Sequence, residues 1–235
     1  MRQTLPGLPQ ATPKIAIISL FPLALSGPAL AQTQEPVVLD TISLSAEGSA
    51  LSGFDGYVAG DSQSATKTAT PLIETPRSVE VIGRDELERR DANGVVEALR
   101  YSSGIATGLS GLDPRFDQYK LRGFSGTTTA DFRDGMRQVP GSYGTFRTDL
   151  WALDRIDVVK GADSAVYGQM SPAGLVDRIS KRPTGARIRD FTSRVTNHGG
   201  AQVGFDIGDP LGADGSMSYR LVGLVRGGEG DFEIA

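Results

Sequence analysis

The chain has 235 residues, a formal net charge of −4, 30 glycines, one His, one Trp and no cysteine. The absence of cysteine excludes disulfide frameworks, thiolate metal sites and Cys nucleophiles. Ordinary levels of charged and apolar residues argue against global disorder, and the acidic balance argues against general nucleic-acid binding. The high glycine content favours turn-rich or β structure over a helical bundle.

The first 31 residues have the pattern of a secretory signal peptide. Arg2 and Lys14 are basic and no acid is present. The apolar run at 15–25 is too short to span a bilayer as a helix, and Ala29-Leu30-Ala31 fits a small-x-small cleavage site. The alternative is a membrane anchor that stays attached. Cleavage after Ala31 removes two positive charges and changes the net charge from −4 to −6.

Residues 32–63 are rich in Ser, Gly and Asp and are expected to be flexible. Within them, apolar and polar residues roughly alternate over 37–46. Such a stretch can lie extended and add itself as a strand to the sheet edge of another protein.

The segment from 66 to 137 predicts short strands and helices. A strand is expected at 79–82 after a Pro-fixed approach, a helix at 85–90 with acids in its first turn, and another at 94–101. The apolar face of that second helix is expected to hold Val95, Val96, Leu99 and Tyr101. Residues 116–124 predict a strand that ends in Arg-Gly-Phe, and Asp134-Gly135 predicts a type I′ hairpin turn.

Residues 153–183 contain the strongest local signals. Ile156, Val158 and Val159 are β-branched and predict a strand. Asp163 is placed to cap a helical turn that ends at Gly168, and a second strand is expected at 175–180. The stretch holds no nucleophile with a base, no metal ligand set and no phosphate loop.

After Pro183, segments of about ten residues alternate between apolar and polar and are separated by turns. This pattern is typical of transmembrane β-strands. A soluble antiparallel sheet is the alternative interpretation.

Four pieces of the chain, at 153–161, 165–168, 171–176 and 180–183, resemble the end of the plug domain of TonB-dependent outer-membrane siderophore receptors, in order and spacing. The resemblance implies an α+β plug domain with a small mixed β-sheet, followed by the first antiparallel strands of a transmembrane β-barrel. An unrelated α+β domain with Gly-rich turns is the alternative.

The implied organisation is a signal peptide at 1–31, a flexible periplasmic segment at 32–64 with a TonB box at 40–46, a plug at 65–183 and barrel strands at 184–235. The gap before the plug is too short for an extra periplasmic signalling domain. Three strands cannot close a barrel, and an open edge in hydrocarbon leaves costly unpaired backbone groups. We therefore expect an incomplete barrel and a truncated gene product or fragment.

The resemblance implies binding of a ferric siderophore and its energised uptake across the outer membrane, without enzyme activity. The expected partners are TonB with its inner-membrane energising complex, the ferric siderophore and the outer membrane. No cofactor is expected, because iron enters only as part of the ferric siderophore. A soluble periplasmic binding module and a non-functional plug fragment are the alternatives.

The resemblance also assigns roles to individual residues. Ligand-binding residues on two apical loops are expected to be Ser110, Arg115, Ser142, Tyr143 and Phe146. TonB-coupling residues are expected to be Asp40, Thr41, Ile42, Ser43 and Leu44. Residues that lock the plug to the barrel wall are expected to be Arg122 and Arg155.

Two positions depart from the resembled pattern. Lys160 stands where the family usually has Arg, and Asp177-Arg178 replaces an Asn followed by an apolar residue. We expect the charges of Asp177 and Arg178 either to be satisfied locally or to weaken the plug strand.

Overall fold

The computed structural model describes residues 54, 56–109, 117–140, 147–196, 199–212 and 216–228. All of these residues belong to one compact unit. Among them, no helix has both the length and the apolar character needed to cross a membrane.

Five short α-helices are present in the described residues: α1 Gln63–Thr66, α2 Arg84–Arg89, α3 Val95–Ala98, α4 Gly126–Thr129 and α5 Ser164–Tyr167. Three 3₁₀ turns lie at Leu72–Glu74, Leu99–Tyr101 and Leu150–Ala152. The strands are β1 Ser78–Ile82, β2 Ile105–Thr107, β3 Tyr119–Leu121, β4 Phe124–Ser125, β5 Asp131–Arg133, β6 Met136–Arg137, β7 Leu153–Lys160, β8 Gly174–Ser180, β9 Ile188–Val195, β10 Ala201–Leu211 and β11 Met217–Gly227.

The main sheet has five strands in the order β1-β7-β8-β5-β6. It is mixed, because β5 runs parallel to β8 whereas the other neighbours are antiparallel. A smaller antiparallel sheet has the order β2-β3-β4. These two sheets with α1 to α5 form what we call the α+β body, so the predicted fold class is confirmed.

The apolar core lies on both faces of the main sheet. Ile156 and Val158 of β7 belong to a cluster with Leu87 of α2 and Val95 of α3, whereas Val159 belongs to a cluster on the other face. Because both faces of the sheet are covered, β7 is buried along almost its whole length, including the charged residues Arg155 and Asp157.

Two details of the predicted helices are wrong. Tyr101 is 71% exposed and does not join the apolar face of the second helix. Asp163 occupies the N-cap position of α5 but makes no capping hydrogen bond. Its carboxylate instead lies 2.7 Å from Nη1 of Arg77, because its backbone, at φ −133° and ψ 37°, does not have the extended geometry of a capping residue.

Two tight turns are built from a polar residue followed by glycine. Asp134 and Gly135 have φ of 51° and 76°, as a type I′ turn requires, which confirms the predicted hairpin. Arg122 and Gly123 have φ of 48° and 87°. The strand therefore ends at Leu121, and the prediction that it runs through Arg-Gly-Phe is wrong.

The strands after Pro183 form a separate antiparallel sheet in the order β11-β10-β9. One face of β10 is buried at Gly204, Asp206 and Gly208, whereas Val203 on the other face is 59% exposed. The alternation expected from the sequence is therefore present.

Candidate functional site

The residues expected to bind the ligand or couple to a partner lie outside the described part of the chain, and their roles stay predictions. For the ligand these residues are Ser110, Arg115, Ser142, Tyr143 and Phe146. For coupling they are Asp40, Thr41, Ile42, Ser43 and Leu44. The structure does describe the residues that follow both ligand segments, and these residues are joined to each other.

The two arginines expected to lock the body to a barrel wall lie in different surroundings. Arg122 is exposed in the turn between β3 and β4, with its backbone N–H donating to the Gly104 carbonyl at 2.7 Å. Arg155 is only 3% exposed, and its Nε donates to Oδ1 of Asp157 at 3.1 Å. Neither geometry tests a contact with a complete barrel, so both roles stay predictions.

Two buried carboxylates face each other across β7 and β8. Asp157 and Asp177 are directly opposite in the antiparallel register and are at most 1% exposed. Oδ2 of Asp157 accepts from the hydroxyls of Ser62 at 2.6 Å and Ser64 at 2.7 Å. We call Ser62, Ser64, Arg155, Asp157 and Asp177 the carboxylate-pair cluster.

Asp177 is held by donors from two segments. Its Oδ2 lies 3.1 Å from the Ser64 hydroxyl, and its Oδ1 accepts from the backbone N–H of Gly135 at 3.1 Å. Burial raises the pKa of Asp177 to about 6, and the charge of Asp157 adds to this, although the hydrogen bonds oppose it. Asp177 is therefore half-protonated at about pH 6.

Arg178 lies on the opposite face of the main sheet and belongs to a second polar cluster. It is 1% exposed, and its Nη2 lies 2.5 Å from both carboxylate oxygens of Asp131. Its Nη1 donates to Oγ1 of Thr148 at 2.9 Å and lies 4.0 Å from Oδ2 of Asp117. We call Asp117, Asp131, Thr148 and Arg178 the Arg178 cluster.

The Arg178 cluster joins the two chain segments that return from the expected ligand loops. Asp117 directly follows residues 110–116, and Thr148 lies close behind 141–146. The Thr148 backbone also hydrogen-bonds the Asp117 carboxylate, although burial still raises the pKa of Asp117. Burial likewise raises the pKa of Asp131 to about 6, against the lowering effect of Arg178.

The departure at Asp177-Arg178 is thus satisfied locally. Because consecutive strand residues point to opposite faces, Asp177 reaches Ser64 and Gly135 while Arg178 reaches Asp131 and Thr148. The other departure, Lys160, donates to Glu80 and to Ser103 at 2.6 Å each. No local pattern in the sequence indicated these partners.

The α+β body contacts the strands after Pro183 through Trp151. Its indole Nε1 donates to the Phe205 carbonyl at 3.1 Å, and its ring fills the space beside Gly204. Lys181 donates to Asp206 at 2.7 Å, with its Nζ 4.2 Å from the centroid of the Trp151 ring. These contacts were missed because no local sequence pattern predicts them.

We expect Gly204→Val to force Trp151 out of this contact. A Cβ at Gly204 meets Trp151 at 3.0 Å and Thr192 at 2.9 Å, so a branched side chain cannot fit beside the ring. Overpacking of this kind costs about 1–3 kcal/mol. Because Trp151 is the only tryptophan, its emission should shift to the red. Gly227→Val, where nothing lies within 4 Å of the added Cβ, is the control; an equal shift in both variants contradicts the contact.

A cavity of about 290 Å³ lies between α2 and the strands β9 to β11. Arg84, Asp91, Arg194 and Arg226 line it together with other residues of both signs, and this mixture favours no single ligand class. In the described ranges, no group of three or more His, Cys, Asp or Glu residues is placed to hold a metal ion.

The TonB-dependent Receptor Plug Domain family matches residues 71–175. The chain is 38% identical over 192 residues to the ferrioxamine receptor of Yersinia enterocolitica, covering 80% of this chain and 27% of that protein. It is 30% identical to the ferrichrome outer membrane transporter/phage receptor of Escherichia coli K12, covering 91% of this chain and 29% of that protein. The chain thus spans less than a third of the length of these relatives.

Solved receptor structures share the fold. The FpvAI–pyocin S2 complex superposes with a TM-score of 0.65 at 26% identity, covering 77% of this chain and 23% of that chain. The alcaligin outer-membrane receptor FauA from Bordetella pertussis gives 0.63 at 26% identity, covering 74% and 30%.

Proposed function

This chain belongs to the TonB-dependent siderophore receptors, and from that premise we propose that it acts in binding a ferric siderophore and in its energised uptake across the outer membrane of a Gram-negative bacterium. The observation that carries the proposal is the match of residues 71–175 to the plug domain, together with relatives that are ferrioxamine and ferrichrome receptors. No covalent chemistry is involved.

Exposure of the strand sheet supports the outer-membrane location over a soluble periplasmic module. Val203, Leu221 and Val225 are 59%, 57% and 75% exposed. Val203 and Val225 are cross-strand partners and therefore lie on the same face of the β10–β11 pair. An exposed row of apolar residues opposite a polar face is the arrangement of a lipid-facing strand surface.

In the proposed mechanism, the siderophore binds at the apical loops that carry Ser110, Arg115, Ser142, Tyr143 and Phe146. The Arg178 cluster joins Asp117 and Thr148, the described residues that follow the two loops in the chain, and so holds these two positions together. TonB pairs with the coupling segment around Ile42 as an added strand. Arg122 and Arg155 are proposed to meet acidic groups of the barrel wall.

The coupling role is tested by Ile42→Pro and Leu44→Pro in a receptor that joins this chain to a complete barrel. Proline removes an N–H donor and fixes φ, so it breaks an added strand. We expect binding of labelled ferrioxamine B to whole cells to stay nearly unchanged while its energy-dependent accumulation is abolished. Ferrioxamine B is the probe because relatives are named as its receptors.

Ser49→Pro is the matched control for these variants. It introduces the same proline outside the coupling segment at 40–46, so accumulation should stay close to that of the unchanged receptor. Normal accumulation in both Ile42→Pro and Leu44→Pro would exclude this segment as the coupling strand. Equal loss of binding and accumulation would point to a folding or export defect.

A further inference from the structure

Helix α1 of the α+β body is held against the main sheet by buried hydroxyl groups. Ser62 caps α1, and Ser62, Ser64 and Ala65 are at most 2% exposed. The chain reaches α1 past Gly60, whose carbonyl accepts from the backbone N–H of Leu72 at 2.9 Å. Segment 62–67 therefore attaches to the sheet the polypeptide that follows the coupling residues, which also contacts α2 through the backbone N–H of Gly56.

The hydroxyl of Ser64 lies between two carboxylates. Oγ of Ser64 is 2.7 Å from Oδ2 of Asp157 and 3.1 Å from Oδ2 of Asp177. A serine hydroxyl has one hydrogen, so it donates to only one of the two at a time. A proton on Asp177 would supply a second donor, directed back to the Ser64 oxygen, and would remove one of two facing negative charges.

The other ionisable groups around the pair come from several elements and from the segments between them. Arg155 on β7 binds Asp157, and Tyr167 of α5 donates its hydroxyl to the Ser64 carbonyl at 2.7 Å. Lys67, at the end of α1, lies over the Tyr167 ring and donates to the Gly135 carbonyl at 3.0 Å. Asp134 and Arg182 line the same small cavity as Asp177, and Asp61 lies near enough to sense Arg155 and Asp157.

We propose that Asp157 and Asp177 form a proton-dependent clasp on segment 62–67, which holds this segment more tightly when Asp177 carries a proton. The link to uptake rests on the proposed function, because the clasped segment connects the coupling residues to the sheet.

The direction of the pH effect follows from the raised pKa of Asp177, about 6 in the folded chain against an ordinary 3.8. Between these values the clasped state binds more protons than a state in which Asp177 is exposed. The clasp therefore strengthens as pH falls through 6 and weakens as pH rises through it.

Amide hydrogen exchange of the 235-residue chain in detergent tests the clasp without siderophore or TonB. The backbone amides of Ser64 and Lys67 are hydrogen-bonded within the segment, to Ser62 Oγ and the Gln63 carbonyl. After correction for intrinsic exchange, their protection should be about tenfold greater at pH 5.0 than at pH 7.5. Equal protection at the two pH values overturns the proposal.

Two isosteric variants identify the group responsible. Asp177→Asn should abolish the pH dependence and keep protection near the unchanged chain's value at pH 5.0. Asp131→Asn removes a carboxyl whose pKa is also about 6, but it lies in the Arg178 cluster, so the tenfold ratio at segment 62–67 should remain. Loss of the ratio in Asp131→Asn, or its survival in Asp177→Asn, overturns the assignment.

Ser64→Ala provides a second measurement that does not depend on the folding of the Asn variant. Removing the shared hydroxyl should lower protection at pH 5.0 to about the level of the unchanged chain at pH 7.5; unchanged protection contradicts the clasp. Because exchange is read without ligand, a failure of siderophore uptake leaves this result intact, and a failure of the clasp leaves the uptake proposal intact.

Discussion

Replacing Arg178 with Met should destabilise the α+β body by about 3–5 kcal/mol, because removing one partner of a buried ion pair leaves an uncompensated buried charge. Asp131 loses the guanidinium that lies 2.5 Å from both its oxygens, and Thr148 loses a donor at 2.9 Å. Urea unfolding of the chain in detergent, followed by far-UV circular dichroism, measures the loss.

The loss in Arg178→Met should be smaller at pH 5 than at pH 8. Burial already raises the pKa of Asp131 to about 6, and Arg178 is the main group that opposes this. Without the guanidinium the pKa of Asp131 rises further, so at pH 5 the carboxyl is neutral and no isolated charge remains in the interior.

Two further variants distinguish the effect of an unpaired buried charge on stability from the general effect of losing an arginine. Arg133→Met changes the register neighbour of Arg178 on β5, which has a half-exposed side chain 4.0 Å from Asp134, and should cost no more than about 1 kcal/mol. Asp131→Asn with Arg178→Met removes both charges and should recover part of the stability. Equal losses in Arg133→Met and Arg178→Met would contradict this account.

The parts of the fold that the sequence predicted correctly are those determined within a few residues. Ile156, Val158 and Val159 predicted β7 because β-branched side chains favour extended backbone. Asp134-Gly135 predicted its hairpin because both positions need positive φ. The alternation after Pro183 predicted the strands there, and the family resemblance supplied the mixed sheet.

The polar interior could not be predicted in the same way, because its partners are far apart in the chain. Ser64 and Asp177 are 113 residues apart, and the indole of Trp151 donates to a residue 54 positions away. Asp163 illustrates the same limit of sequence-based prediction. Its position predicted a helix cap, but its carboxylate pairs with Arg77 instead. The partner that a polar side chain binds depends on which distant residues the sheet brings together.

One residue of each polar cluster was nevertheless visible in the sequence, because Asp177 and Arg178 are adjacent. Asp177-Arg178 stood out as two charges in a strand expected to be buried, and satisfying them locally was one of two expected outcomes. What the sequence could not show is that the two side chains serve opposite faces. That division places one charge beside segment 62–67 and the other beside Asp117 and Thr148, which follow the two expected ligand segments in the chain.

Gly174→Ala should cost more than about 4 kcal/mol, a loss confined to a few mechanisms such as backbone strain combined with overpacking. Gly174 begins β8 with φ of 125°, a conformation that L side chains rarely adopt. An added Cβ would lie 2.0 Å from the Val159 carbonyl oxygen and 3.0 Å from the Gly161 nitrogen. Both are backbone atoms of the paired strand and its turn, so the clash cannot be relieved by a side-chain rotation.

Gly123→Ala is the matched control for this prediction. Gly123 also has positive φ, at 87°, but nothing lies within 4 Å of the added Cβ. Its cost should therefore be limited to the left-handed backbone penalty of about 1–2 kcal/mol. Urea unfolding of both variants decides the matter, with soluble yield as a second reading if Gly174→Ala does not fold. If the two alanine variants lose similar stability, the close approach of β7 and β8 at Gly174 is not the cause of the loss.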